Sequence, residues 1–270
     1  MTSTAAQSLP QRGGIGALAG GMGIGTLGGL IGLGGAEFRL PLLIGAFGFG
    51  ALEAVIINKA MSLIVVASAL PFRMGTIHFS TLADHWMIIV NLLAGSLFGA
   101  WMGASWATRL KSETLFRVLA VLLVGIAAAL LFGHGAESGN KPMFTGSLQL
   151  VAGVVAGFLI GVVASLMGVA GGELLIPTLI LLFGADVKLA GSLSLAVSLP
   201  TMLVGFARYS RDSTFAVLAS NRWFVIVMAI GSVVGSFVGA LLLGLVPDAV
   251  LLPTLAAILL ISSVKIWRHK

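Results

Sequence analysis

At 270 residues with 58% hydrophobic and 9% charged side chains and a mean hydropathy of +1.11, the chain cannot cover a soluble domain in polar surface. The bilayer is its solvent. The net charge of +6 would suit a nucleic-acid partner, but its distribution argues against one: the basic residues stand singly or in small groups at the ends of apolar runs, as membrane anchors do. Cysteine is absent, which removes disulfides, thiolate ligands and thiol nucleophiles together.

Residues 1–12 read as an N-terminal tail. The stretch from Gly13 to Ala36 carries no charge and is longer than the apolar region of a cleaved signal peptide, so it reads as a retained first span. A helix needs about 20 mostly apolar residues to cross about 30 Å of hydrocarbon at 1.5 Å per residue. Runs of that length fall at 13–35, 51–72, 85–107, 115–133, 146–170, 188–207, 223–246 and 249–266, which predicts eight spans. Two shorter apolar pieces, 38–49 and 174–185, each follow a Gly-rich break containing a glutamate. The fold class is therefore all-α and polytopic: about eight transmembrane helices in two homologous four-span repeats, each with a break and a short half-helix. The expected boundaries are 13–133 for the first repeat, 134–145 for a linker, 146–267 for the second repeat and 268–270 for a tail.

The repeat rests on one constant offset. Gly32, Gly35, Glu37, Pro41 and Gly48 correspond to Gly168, Gly171, Glu173, Pro177 and Gly184, each 136 residues on, and Gly95, Gly99, Gly103 and Ser62 correspond to Gly231, Gly235, Gly239 and Ser198. The glycines spaced four apart form a smooth helix stripe suited to close packing. Four full spans per repeat make the two copies parallel; an odd number makes them inverted. With eight crossings, nine basic residues fall on the side of the N-terminus and five on the other or in the breaks, so both termini are expected in the cytoplasm.

The first break reads Gly-Leu-Gly-Gly-Ala-Glu-Phe-Arg-Leu-Pro from Gly32 to Pro41, and the second Gly-Val-Ala-Gly-Gly-Glu-Leu-Leu-Ile-Pro from Gly168 to Pro177. Consecutive glycines release the backbone from helical geometry, and proline suits the first turn of a new helix. Irregular backbone at membrane depth is tolerated only inside protein or beside a watery cavity, and short interrupted segments at matching places in two halves point to a transport site. The exposed N–H groups at the start of each short helix attract an anion.

The doubled Gly-x-x-Gly-Gly-x…Pro pattern, each copy opening a unit of four spans, resembles the TauE/SafE sulfite-exporter family of membrane permeases. The first copy departs from the pattern, with Ala36 in place of a third glycine and Arg39 where the second copy has Leu175. The resemblance implies a small anionic substrate such as sulfite, thiosulfate or an organosulfonate, and a place in a bacterial cell membrane.

The candidate binding residues are Gly34, Gly35, Glu37, Asn58, Lys59 and Ser62 around the first break, and Gly171, Gly172, Glu173, Ser194 and Ser198 around the second. Lys59 is the most informative, because a charge within a span requires a partner or a role; an ion pair with Glu53 or Glu37 competes with an anion role. Asn58, Ser62, Ser192, Ser194, Ser198 and Thr201 offer hydroxyl and amide donors that suit a sulfur oxyanion, or bonds between helices. Arg73 and Arg208 read as interfacial anchors. The four histidines fall in loops or termini with no metal-site spacing, and no pairing of catalytic residue types suggests an enzyme. No cofactor is expected. The partners expected are the small anion and the lipid bilayer, with a homo-oligomer left open. The competing reading is a proton- or metal-cation transporter using Glu37 and Glu173.

Overall fold

The computed structural model describes residues 14–31, 35–74, 83–132, 142–185, 187–242 and 248–268. All regular structure among them is helical: α1 (Gly14–Ile31), α2 (Ala36–Gly45), α3 (Ala51–Met74), α4 (Trp86–Ala107), α5 (Ser112–Phe132), α6 (Ser147–Met167), α7 (Gly172–Phe183), α8 (Val187–Tyr209), a 3-10 turn (Ser213–Ala216) leading into α9 (Val217–Ser220), α10 (Arg222–Leu242) and α11 (Asp248–Trp267). Five of these, α3, α4, α6, α8 and α10, are long and apolar enough to cross a membrane. Helix is the form in which an apolar run can satisfy every backbone group without water.

Polarity is distributed in reverse of a soluble protein. Glu37, Arg39, Asn58 and Lys59 are buried, while Phe98, Leu159, Ile226, Phe237 and Ile261 are exposed. An apolar exterior around a charged interior is the arrangement that lipid stabilises.

Two helix pairs form the tightest seams. Gly95, Gly99 and Gly103 of α4 lie against the backbone of Val154, Phe158 and Val162 of α6, and Gly157 and Gly161 answer against Leu92 and Ser96. In the same way Gly21 and Gly25 of α1 meet Met228 and Ser232 of α10, while Gly231 and Gly235 meet Leu18 and Met22. Residue numbers rise together across both seams, so each pair runs parallel. A third parallel neighbour is α8, joined to α4 by Ser96–Thr201 (2.7 Å) and Arg208–Ser105 (2.8 Å).

The short helices run back along the helices before them. Gln149 near the start of α6 donates to Leu182 O at the end of α7 (2.6 Å), whereas a Cβ on Gly171, just before α7, would stand 3.2 Å from both Ala164 and Ile160. Likewise a Cβ on Gly20 of α1 would meet Leu42, and one on Gly16 would meet Phe47 just past α2. Chain direction therefore reverses at each break.

Candidate functional site

The two short helices begin and end alike. Gly35 and Gly171 cap α2 and α7 in the left-handed region, at φ 68° and 83°, a conformation that costs other L-residues about 1–2 kcal/mol each. At the far ends Gly48 and Gly184 share φ 67°, and the bonds Phe49 N to Leu43 O (3.1 Å) and Ala185 N to Leu179 O (3.3 Å) close matching turns. Positive-φ glycine starts these helices, not proline. Pro41 and Pro177 were expected in the first turn but each is the sixth residue of its helix. There it removes the amide that an uninterrupted helix would offer to the carbonyl of Glu37 or Glu173.

One side chain ties the breaks together. Asn58 of α3 donates through Nδ2 to Ala36 O at the start of α2 (2.9 Å) and to Met167 O at the end of α6 (3.0 Å). Its Oδ1 accepts from Arg39 Nη1 (3.3 Å), which also donates to Ser62 Oγ at the same distance. Ser62 in turn donates to Gly168 O (3.2 Å). Lys59 reaches the same helix end, donating to Ala164 O (3.2 Å) and Val169 O (3.3 Å). Met167 O is among the last carbonyls of α6, which a helix C-terminus leaves without intrahelical amides; Ala164 O also accepts from Val169 N (3.0 Å), and an ammonium there opposes the negative end of the helix dipole.

Close approach is what permits this capping. A Cβ on Gly168 would stand 3.1 Å from Lys59 N and 3.2 Å from Val55 C, so α3 passes directly over the break. Gly205 of α8 leaves comparable room for the Lys59 side chain, since a Cβ there would lie 3.1 Å from Cε and 2.8 Å from Ser165 Oγ.

Of the sequence-derived residues, Gly35 and the buried Glu37 open α2, while Asn58, Lys59 and Ser62 of α3 bond the end of α6 and the turn after it. Neither ion pair considered for Lys59 is its anchorage; backbone carbonyls hold it, and Glu53 instead accepts from Gly50 N (3.0 Å). Gly171 and Gly172 open α7. Ser194 turns back onto Gly191 O of its own helix (2.8 Å), and Ser198 is buried on α8. Gly34 and the side chain of Glu173 lie outside the described residues, as does the side chain of Arg73. Arg208 bonds Ser105 and Thr108, with Arg211 5.0 Å above the Trp101 ring.

Three participants carried no motif. Ser165 is fully buried and its hydroxyl has no hydrogen-bond partner among the described residues. Tyr209, also fully buried, donates to Ser165 O (2.9 Å). It is the only tyrosine in the chain, and a lone polar aromatic at a span end was the available signal. Gly205 lay outside every glycine pattern that the sequence offered.

One asparagine thus joins the start of α2 to the end of α6 beside the buried Arg39 and Lys59, within a chain that matches known proteins along most of its length. The model of the sulfite exporter TauE/SafE family matches residues 17–266. The chain belongs to that family. A relative from Bacillus subtilis (strain 168), named "Probable membrane transporter protein YunE", is 25% identical over 202 residues, covering 67% of this chain and 72% of that protein. No solved structure matches. The protein is therefore an integral membrane protein of a transporter family.

Proposed function

We propose that this protein carries a small oxyanion, of the class of sulfite, thiosulfate or an organosulfonate, across the membrane through the space between the two glycine-rich breaks. The observation that carries the reading is the Asn58 bridge, which brings the start of α2 and the end of α6 within reach of one amide. Helix N-termini attract anions, and the described buried side chains around the bridge include two cations, Arg39 and Lys59, against one carboxylate, Glu37. On this reading Gly34, Gly35, Glu37, Asn58, Lys59 and Ser62 line one side, and Gly171, Gly172, Glu173, Ser194 and Ser198 the other.

The architecture that best accommodates the helix directions is a pair of inverted repeats of five passes each, with α2 and α7 as shortened passes, in place of eight crossings in parallel repeats. Each half then has an odd number of passes, and the parallel seams α1–α10 and α4–α6 become one contact made twice. Charge supports this independently. Arg109, Lys111, Arg117, Arg208, Arg211, Arg222, Lys265 and Arg268 fall on one side of the described helices, and only Arg73 and Lys188 on the other. The eightfold side is cytoplasmic under the positive-inside rule, so α1 starts and α11 ends there.

The test is flux of ³⁵S-sulfite into liposomes containing the purified protein, with and without added divalent metal. Flux that needs no metal and is competed by thiosulfate or methanesulfonate supports the reading. Metal-dependent cation flux with no sulfite flux overturns it in favour of a carboxylate-based cation site.

A further inference from the structure

The last turns of α4 and α8 end on the basic side of the molecule, away from the two breaks. Phe98, Trp101, Ser105 and Thr108 recur every three or four residues and so share one face of α4, on which Phe98 and Trp101 are exposed at 65% and 36%. Arg208 of α8 reaches across to this face, donating through Nε to Ser105 Oγ (2.8 Å) and through Nη2 to Thr108 Oγ1 (3.4 Å). Its guanidinium carbon lies 5.9 Å from the centre of the Trp101 ring, and that of Arg211 lies 5.0 Å from it. Two guanidiniums therefore gather at one exposed aromatic side chain.

The pair is not neutralised. Neither arginine makes an ion pair with a carboxylate among the described residues. Asp212, next in sequence, is turned the other way, accepting from Thr214 N (2.9 Å) at the 3-10 turn, and Glu113 is held by Arg117. Arg208 Nη1 and the Arg211 guanidinium make no hydrogen bond among the described residues. Two like charges beside one ring repel each other, and attraction to the ring face offsets only part of that. An anionic group between them removes the repulsion and fills the empty donors with charge-assisted bonds.

The surroundings select the kind of anion. Trp101 lies near the end of a membrane-crossing helix, at the level where tryptophan marks the boundary between headgroups and hydrocarbon, and Phe98 continues the same exposed face about one turn deeper. A free inorganic anion gains nothing from that apolar strip, whereas a phospholipid lays an acyl chain along it. We propose that the α4–α8 end is a binding site for one anionic phospholipid, its phosphate held between Arg208 and Arg211 and its acyl chain against Trp101 and Phe98. Basic pockets between helices on the cytoplasmic side take such headgroups, and the guanidinium fork matches two phosphate oxygens. The site stands apart from the breaks and does not depend on which anion passes between them.

The test is native mass spectrometry of the full-length protein, released from detergent after incubation with equal amounts of phosphatidylglycerol and phosphatidylcholine of the same acyl chains. The wild type should retain phosphatidylglycerol preferentially. Arg211→Gln, which removes no hydrogen bond between helices, should lower that preference about fivefold, and Arg208→Gln combined with it about 25-fold, the effect expected of each basic residue near an anionic surface. Arg117→Gln, on the same side but already paired with Glu113, should leave the preference unchanged. Equal retention of the two lipids by the wild type, an unchanged preference in Arg211→Gln, or an equal loss in Arg117→Gln makes the arginines general interfacial anchors and overturns the inference. Displacement of the lipid by an equal concentration of inorganic phosphate assigns the pair to a free anion and overturns it too. If the double variant does not fold, Arg211→Gln decides.

Discussion

Replacing Gly99 by alanine adds one methyl group at the centre of the α4–α6 seam. That methyl would stand 2.9 Å from Phe158 C and 3.1 Å from Phe158 Cα, with the carbonyl oxygen closer still. At Gly103, one turn on, the nearest atom is Val162 O at 2.6 Å. These neighbours are backbone, which no rotamer change can move aside, so the helices must part by several tenths of an ångström or more. Overpacking of this kind costs about 1–3 kcal/mol, and at about 2–4 °C per kcal/mol for a chain of this size the melting temperature should fall by about 2–12 °C. Gly125 of α5 provides the internal reference: nothing lies within 4 Å of a Cβ there. Alanine at that position should stabilise by about 0.5–1 kcal/mol through helix propensity alone. Thermal unfolding of both variants in one detergent, followed by intrinsic fluorescence or dye binding, gives the comparison. Equal shifts of the same sign would mean that the seam is not close-packed and that α4 and α6 are not direct neighbours.

Lys59→Met leaves Val169 O without the Lys59 donor, at about 1–3 kcal/mol for a buried acceptor, while Ala164 O keeps its bond from Val169 N (3.0 Å). The change also removes a buried ammonium that insertion scales place at about 2.5–3.5 kcal/mol. The opposing terms are similar in size, so the variant should insert and stay within about 3 kcal/mol of wild type by thermal unfolding while its sulfite flux drops severalfold. Flux at the wild-type level would reduce Lys59 to a helix-end clamp. A tag placed after α11 should resist membrane-impermeant labelling in intact cells and react once they are permeabilised; labelling from outside would invert the assigned orientation.

Much of the helix plan was legible because lipid makes apolar length nearly equivalent to helix. The runs expected at 51–72, 85–107 and 188–207 appear as Ala51–Met74, Trp86–Ala107 and Val187–Tyr209. The breaks were visible as paired glycines, and the small-residue stripes as seams. What the stripes met was not visible, since a backbone surface has no residue type and Gly95 through Gly103 could face any smooth helix. The anchorage of Lys59 was hidden for the same reason: its acceptors are carbonyls 105 and 110 residues away, and the nearby carboxylates that looked like partners are not the groups that hold it. The proline expectation failed because proline tolerates a first turn but does not demand one. The left-handed glycine had already fixed where each helix begins.

The seams α1–α10 and α4–α6 have a consequence for how such a chain is assembled. Each joins a helix from before residue 133 to one from after residue 141, so neither stretch contains its own closest packing. Released separately into a bilayer, each would present two bare glycine grooves whose natural complement is the other stretch. Synthesis therefore leaves the first five helices incomplete until α6 and α10 emerge. Two fragments cut between α5 and α6 should reassemble when co-expressed, each serving as the template that closes the other.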